Sequence, residues 1–496
     1  MLRSESDRSR EWTTDVYLIT ILLVFLLFPG ISGYGNITFS KYVFLLVATG
    51  AWLAALVFLS IRDKRGPGRL RAPQLAALAF LAAATLSWLC SPWRADALIG
   101  AGRCDGLLML ALYVLIFLGV SLLTRPKKLQ AAAFAAGVTV CCAVAALQLF
   151  GLDPFRLFPA GYGYYDAGID YSGTYLGTVG NTNVLDAVLC AGLPLFLSLY
   201  ILGESPLFLL PLIPGYFVAV FSGGSGAMVA YAVCALALPP LLLTDASRLR
   251  RALRGAAVIL CSAAAALCYH PDYVNRTLMP RFVLTPTGGA AAAAAVLCLI
   301  ASLLPWGGFA LSQRTLRRCF LALDAALILG ALAFLWHYSG TTGTLYELRE
   351  VLHGHVEDAY GSSRVLIWRR CLELFAERPL LGGGPGTLAL RAGIEWSRYV
   401  PETGITLRSY VDNAHNVYLG YLVNCGVPGL AAYLALLGLT CCAAAGTRDS
   451  SMTAALSLGA LCAAVHAFFG LGLFLSEPFF WVILGLLCAE KESICT

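Results

Sequence analysis

The chain has 496 residues, of which 59% are hydrophobic and 12% charged, with a formal net charge of +6 and a mean hydropathy of +0.76. A soluble domain carries roughly 25% charged residues, so this composition excludes a string of soluble domains and indicates a polytopic membrane protein. The positive balance does not point to nucleic acid, because the basic residues stand in short clusters between apolar runs.

A spanning helix needs about 20 residues to cross roughly 30 Å of hydrocarbon. In chain order the apolar runs fall near residues 16–34, 42–61, 73–90, 107–124, 130–150, 184–202, 206–221, 225–244, 253–269, 288–305, 318–337, 416–437, 452–475 and 477–489. That is about fourteen spans, or twelve if the two tight pairs 206–221/225–244 and 452–475/477–489 each count once. The first run follows Arg3, Arg8 and Arg10, and it reads as a retained signal anchor. Most of the seventeen cysteines, among them Cys141, Cys142, Cys190, Cys234 and Cys462, lie inside these runs as small hydrophobes. They form neither a zinc pattern nor a disulfide framework.

Loop charge sets the orientation. With the N-terminus in the cytoplasm, the inside loops and their edges hold twenty basic residues, including Arg62, Lys127, Arg248 and Arg317. The short outside loops hold six: Lys41, Arg94, Arg103, Arg156, Arg276 and Arg281. The expected organisation is an N-terminal helical bundle over 1–337, an extracytoplasmic loop over 338–414 and C-terminal transmembrane helices over 415–496.

A loop this long inside a compact protein is usually functional or disordered, and its composition argues against disorder. Residues 345–356 and 363–377 read as amphipathic helices. In the second, Val365, Trp368, Cys371, Leu372 and Phe375 share a stripe suited to packing on the ends of the bundle. Surface ion pairs with Glu373 account for Arg369 and Arg370. Arg364 shares the buried stripe and sits in the first helical turn behind Ser362 or Ser363 as N-cap, where the dipole disfavours a cation. Such an arginine needs an anion. A structural carboxylate, Glu357 or Asp358, and an anionic substrate are the two readings. Next, Pro379 and the glycines of 382–386 end the helix in a tight turn that is no nucleotide P-loop.

The loop ends in Asp412-Asn413-Ala414-His415-Asn416, where a polar cluster runs directly into a membrane helix. An imidazole held where water meets lipid is placed to accept a proton. The alternative is a structural histidine bonded to a loop carbonyl. Asn413, Asn416 and Asn181 either hold a polar ligand or cap helices. Tyr162, Tyr164 and Tyr165 offer aromatic faces for ligand stacking or interfacial anchoring. Among charged or titratable residues inside the runs, Asp186, Asp324 and His466 are functional candidates. His353 and His355 are spaced for one strand face, and no acidic pair of metal-binding type stands out.

Three segments together resemble the O-antigen ligase and O-antigen polymerase superfamily of bacterial membrane glycosyltransferases. His415 and Asn416, followed by nine residues, Gly426, two residues and Gly429, match its His-[Asn/Ser/Gln]-x9-Gly-x-x-Gly pattern. Arg364, Trp368 and the Pro379–Gly384 turn match its Arg-x-x-x-Trp and Pro-Leu-x-Gly-x-Gly elements. Gly177-Thr178-Val179-Gly180-Asn181-Thr182-Asn183 resembles the entry to a middle helix, with Thr182 in place of proline. Where members often carry Ser-Arg-Gly-Ala, this chain has Ser225 at the arginine position. Arg103 is a candidate replacement; an ion pair with Asp105 is its structural reading.

The resemblance implies an all-α polytopic membrane fold of the GT-C type in the cytoplasmic membrane, with its active site on the extracytoplasmic face. It implies transfer or polymerisation of a glycan from a polyprenyl-pyrophosphate donor to a glycan, lipid or cell-wall acceptor, with no cofactor and no metal. On that reading His415 is the base and Arg364 neutralises the leaving pyrophosphate. Arg103, Asn181, Asn183, Asn413, Asn416 and Asp186 contact substrate. The rival reading is a transporter or flippase of lipid-linked saccharides, which needs a polar path across the membrane.

Overall fold

The computed structural model describes residues 5–64, 70–159, 174–274, 277–306, 313–400, 405–445 and 450–489. Tyr162, Tyr164 and Tyr165, and the topology charges Arg3, Arg65, Arg69, Arg276, Arg448 and Lys491, lie outside the described residues.

The chain is a multi-pass helical membrane protein. Its helices are α1 (Glu5–Ile19), α2 (Ile37–Arg62), α3 (Ala72–Leu89), α4 (Arg94–Ile99), α5 (Leu107–Leu123), α6 (Lys128–Leu149), α7 (Thr182–Ile201), α8 (Leu212–Ser222), α9 (Ser225–Leu242), α10 (Ala246–Cys268), α11 (Pro286–Leu303), α12 (Gln313–Trp336), α13 (Thr344–Leu352), α14 (Tyr360–Glu377), α15 (Leu388–Arg391), α16 (Val417–Ala445), α17 (Ser451–His466) and α18 (Glu477–Ala489). Among the described residues, nine helices are long and apolar enough to cross a membrane. Four shorter apolar helices coincide with further expected runs: Leu107–Leu123, Pro206–Ser222, Ser451–His466 and Glu477–Ala489. The run expected over 452–475 stops being helical at His466, and a turn-rich connection carries the chain to α18.

The described residues are mostly helical, as expected, with two short hairpins beside the helices. Both are antiparallel: β1 (Asp272–Val274) with β2 (Thr277–Met279), and β3 (Glu395–Val400) with β4 (Ile405–Tyr410). The second lies in the long connection before α16, and its alternation of polar and apolar residues is short enough to escape a helix-period search.

Apolar burial gives no net drive between helices in lipid, so close packing and polar contacts hold the bundle. α16 packs along α3, α17 along α7 and α18 along α5. Glycines permit close approach: a Cβ on Gly459 would lie 2.7 Å from the Ala191 carbonyl oxygen, and one on Gly485 would lie 2.9 Å from Val120. Trp481 of α18 is fully buried among Phe80, Tyr113, Phe117 and Tyr433. By contrast no residue in the apolar stretch of α12 is buried, as befits a helix facing lipid. Lys41, expected in an outside loop, is instead fully buried in α2. Its Nζ donates to the carbonyls of Phe25 (2.8 Å) and Leu26 (3.0 Å), at the end of a π-helical continuation of α1.

One break in α16 positions everything at that end. Pro428 has no N–H for the Asn424 carbonyl and its ring crowds that group. Gly426 takes φ +70°, and the helix kinks there. The freed carbonyls are collected by the glycine turn. Gly383 N–H donates to Val423 (3.1 Å), Gly384 N–H to Asn424 (3.0 Å), and in return Val427 N–H donates to Pro379 (2.9 Å). Ser87 Oγ also donates to the Asn424 carbonyl at 2.6 Å, and Ser91 Oγ to Gly383 at 2.7 Å. The turn therefore brings backbone against backbone, a role the sequence did not reveal beyond a helix stop. A Cβ at Gly426 would collide with the Leu380 carbonyl. Gly426→Ala should cost about 1–3 kcal/mol from the backbone conformation alone, and more from the collision. The check is a lower thermal transition of the detergent-solubilised protein.

Candidate active site

The residues that share this end of the bundle come from three segments: 100–106, the start of α14, and 411–416. Asn413 Oδ1 accepts the His415 N–H at 2.9 Å, and this Asx turn lets His415 take φ +49°. Asn413 Nδ2 donates to the Leu471 carbonyl at 2.7 Å, fixing the turn to the connection after α17. Asn416 Oδ1 accepts from Leu419 N–H at 3.0 Å and so caps α16. The imidazole is thus presented from a turn braced on both sides.

Arg364 reaches the same region through α14. Trp368, one turn on, donates its indole N–H to the Ala414 carbonyl at 3.1 Å and meets Phe468 edge-on at 5.5 Å. The expected capping by Ser362 or Ser363 is not what starts this helix. Gly361, Ser362 and Ser363 are all left-handed (φ +63°, +57° and +64°). Such residues cost roughly 1–2 kcal/mol each when not glycine. That strained turn ends in Arg364. Its Nη1 donates to the Gly361 carbonyl at 2.8 Å, and its buried Nε has no partner. The structural reading with Glu357 or Asp358 fails: Asp358 pairs with Arg369 at 2.9 Å, and among the described residues no acid pairs with Arg364. Arg369 therefore pairs with Asp358 rather than Glu373, while Arg370 does pair with Glu373 at 2.9 Å. The buried face of α14 is Ile367, Cys371 and Leu374, about one position round from the expected stripe; Leu372 is exposed.

Arg103 is committed otherwise than expected. It pairs with Asp412 at 2.6 Å, not with Asp105. Among the described residues the Asp105 carboxyl makes no ion pair, and burial pushes it up to about 6, with Arg103 opposing. His415 is pushed down to about 4, first by burial and then by the positive charges of Arg364 and Arg103, with Asp412 opposing. It is therefore a neutral imidazole at pH 7. Burial also lowers Arg364 from its ordinary range.

The middle-helix residues form a neighbouring cluster. Asn181 Oδ1 caps α7, accepting from Asn183 N–H (2.9 Å) and Val184 N–H (3.2 Å). Asp186, buried, accepts from Ser222 Oγ at 3.2 Å, and its Oδ1 has no partner. It faces Gly224, the residue before Ser225 at the start of α9. Gly226 packs on Phe469, whose ring meets Phe468 at 5.2 Å and so reaches Trp368. Asp186 thus connects to the Trp368 side of the His415–Arg364 region through the start of α9 and the two phenylalanines, with no direct bond to that region among the described residues; Asn181 and Asn183 precede it at the start of α7.

Sequence reasoning missed Arg391. Arg391 lies flat over Gly383, where a Cβ would collide with its guanidinium. It donates to Thr387 Oγ1 (3.0 Å), Asn424 Oδ1 (2.7 Å) and the Val423 carbonyl (3.3 Å). It locks the glycine turn to the α16 kink, and burial lowers it to about 10. Its signal was an arginine inside the apolar stretch 387–392. Among the described residues no three His, Cys, Asp or Glu side chains gather as a metal cluster. His353 instead stacks on Trp336 at 4.3 Å.

Residues 277–434 match the sequence model of a protein family described as O-antigen ligase. The chain carries an O-antigen ligase family domain. No curated protein matches the chain. The O-antigen ligase segment holds Arg364, the glycine turn, His415 and the Gly426 kink; Arg103, Asp105 and the α7 cluster precede it.

Because Arg364 and Arg103 both oppose protonation of His415, Arg364→Gln and Arg103→Gln should each raise the His415 pKa above about 4. NMR titration of ring-labelled histidine checks this, with His415→Gln assigning the resonance.

Proposed function

We propose that the protein transfers or polymerises glycan from a polyprenyl-pyrophosphate-linked donor at the extracytoplasmic face of the cytoplasmic membrane, without a metal. The O-antigen ligase family domain implies an enzyme that acts on lipid-linked glycans. The observation that carries the finer reading is Arg364: a half-buried guanidinium with no carboxylate partner among the described residues, near a neutral imidazole, both in that domain. The excess of basic residues in alternate loops supports the assignment of the face.

The chemistry follows from these charges. The donor arrives activated, so the protein must stabilise negative charge on the departing pyrophosphate and remove a proton from the acceptor. Arg364 offers a preorganised, uncompensated cation at little reorganisation cost. The acceptor oxygen attacks C1, the C1–O bond to phosphate breaks with its electron pair going to the pyrophosphate, and the hydroxyl proton passes to His415. An imidazole at about 4 is a weak base before substrate binds. Seating a pyrophosphate against Arg364 removes part of the positive field that lowers it. Substrate binding thereby raises the basicity of His415 when it is needed. Asn413 and Asn416 hold the imidazole's turn. Asn181, Asn183 and Asp186 are proposed to border the sugar-binding side.

His415→Ala and Arg364→Ala should each lower transfer by about 10²–10⁴-fold, with loss of surface polymer and accumulation of lipid-linked precursor. Wild-type polymer in both variants would refute the assignment. Precursor that fails to reach the outer face in those variants would indicate transport instead.

A further inference from the structure

A slot of about 390 Å³ runs between α9, α12, α16, α17 and α18. α16 starts at Val417, beside His415, and the slot meets it only from Leu437 to Ala445, its far end. On α17 the slot follows the helix from Thr453 to Ala464, a rise of about 16 Å at 1.5 Å per residue. Spread over that length, the volume gives a mean cross-section of about 24 Å², the girth of a single hydrocarbon chain. Alanines on α16 and α17 form much of the wall and are too small to close the gap. The interior offers little to a polar ligand: the Thr440 hydroxyl is already bonded to the Cys488 thiol at 3.5 Å.

Among the described residues one charged group lines this slot, Arg317 near the start of α12. It is exposed, and neither it nor its neighbours Arg314 and Arg318 makes an ion pair among the described residues. Acids at the same end of the bundle are engaged elsewhere: Asp63 with Arg62 (2.9 Å), Glu204 with Lys128 (2.6 Å), Asp245 with Arg248 (3.2 Å), and Glu11 and Asp15 with Lys127. Asp324, about two turns further along α12, does not pair with Arg317 either. α12 packs on α9, and no residue of its apolar stretch is buried. The slot therefore has a cationic end at Arg317, an apolar length, and a flank on a helix that faces lipid.

We infer that this slot binds an anionic phospholipid, with one acyl chain along α17 and the head group at Arg317. An apolar passage one chain wide takes up hydrocarbon, and a guanidinium offers paired N–H donors to a phosphate. Basic groups at the ends of membrane helices favour head groups of net negative charge. The position of Arg317 fixes how the lipid lies: head at the far end of the bundle, chain tip toward Ala464. A lipid whose charge sat at the His415 end would leave Arg317 unpaired. On the orientation read from loop charge, the occupant comes from the cytoplasmic leaflet. Its chain fills the gap between α12 and the three C-terminal helices that the alanines leave open.

Native mass spectrometry of the detergent-purified full-length chain tests both halves of the site, using phosphatidylglycerol and phosphatidylcholine with the same acyl chains. Wild type should hold its first phosphatidylglycerol more tightly than its first phosphatidylcholine. Arg317→Gln should weaken phosphatidylglycerol about fivefold and bring the two lipids level, while Arg317→Lys keeps the preference. Arg250→Gln removes an exposed cation of the same end that does not line the slot, and it should change neither. Ala460→Phe should fill the slot and weaken both lipids about tenfold or more. Ser457→Leu narrows the same passage with a smaller side chain, and a melting curve without lipid shows which variants are folded. An unchanged preference in Arg317→Gln, an equal loss in Arg250→Gln, or undiminished binding in the folded slot-filling variants would overturn the assignment. So would a polyprenyl pyrophosphate that occupies the slot and is not displaced by phosphatidylglycerol.

Discussion

The two carbonyls released at the α16 kink set the terms for the rest of this end of the molecule. A backbone carbonyl left unpaired near hydrocarbon costs several kcal/mol. Val423 and Asn424 cannot be served by their own helix, because Gly426 leaves the helical conformation and Pro428 has no N–H to give. Two turn amides, one arginine and one serine hydroxyl come to them from other segments. Those donors must approach without intervening side chains, which is why Gly382, Gly383 and Gly426 meet backbone or a guanidinium where a Cβ would be. The two glycine motifs, far apart in the chain, are halves of one joint. With that joint closed, the segment between them is tethered at both ends, and α14 and the His415 turn lie against each other through Trp368 and Ala414.

Against that frame the arginines divide by whether they have been satisfied. Arg391 is spent on carbonyls and an amide, Arg103 on Asp412, Arg369 on Asp358 and Arg370 on Glu373 and the Ala392 carbonyl. Arg364 alone among these has a buried nitrogen with no acceptor, and it follows three left-handed residues of which two are not glycine. Desolvating a cation without a partner and straining the turn that carries it both cost stability. A structure that tolerates both at one residue is consistent with a missing anion that repays them. The neutral state of His415 has the same origin, since the field that wants an anion also repels a proton.

Much of this was legible before any coordinates. The apolar runs gave the helices because lipid imposes a length and forbids charge, a strong filter that needs no tertiary information. The uneven distribution of arginines marked Arg364, since a cation in a first helical turn conflicts with the dipole and local preferences rarely conflict without reason. What escaped was set by partners distant in sequence. Arg103 stands two residues from Asp105 yet pairs with Asp412, because the turn at Cys104 (φ +56°) sends the neighbouring side chains to different surroundings. Lys41 looked like a loop charge because its acceptors, two carbonyls at the end of α1, are visible only once the helices pack. The β3–β4 hairpin escaped because six-residue strands beside a helix-period signal carry little pattern of their own.

The remaining departure is Ser225, where relatives in the resembled superfamily often place an arginine. Its neighbour Gly224 lies against Asp186, whose second oxygen is unpartnered. An arginine at this point would have an acid waiting beside it and would be drawn into an ion pair, as Arg103 is with Asp412. In this chain the acid remains and the cation does not. The pyrophosphate-facing charge of the proposed site therefore falls on Arg364 alone, with Arg103 acting through space, while Asp186 remains free to accept a hydrogen bond from a neutral partner such as a sugar hydroxyl. The two clusters, joined through Phe468 and Phe469, then divide the proposed substrate by chemistry: phosphate beside the guanidinium, sugar beside the carboxyl and the α7 cap.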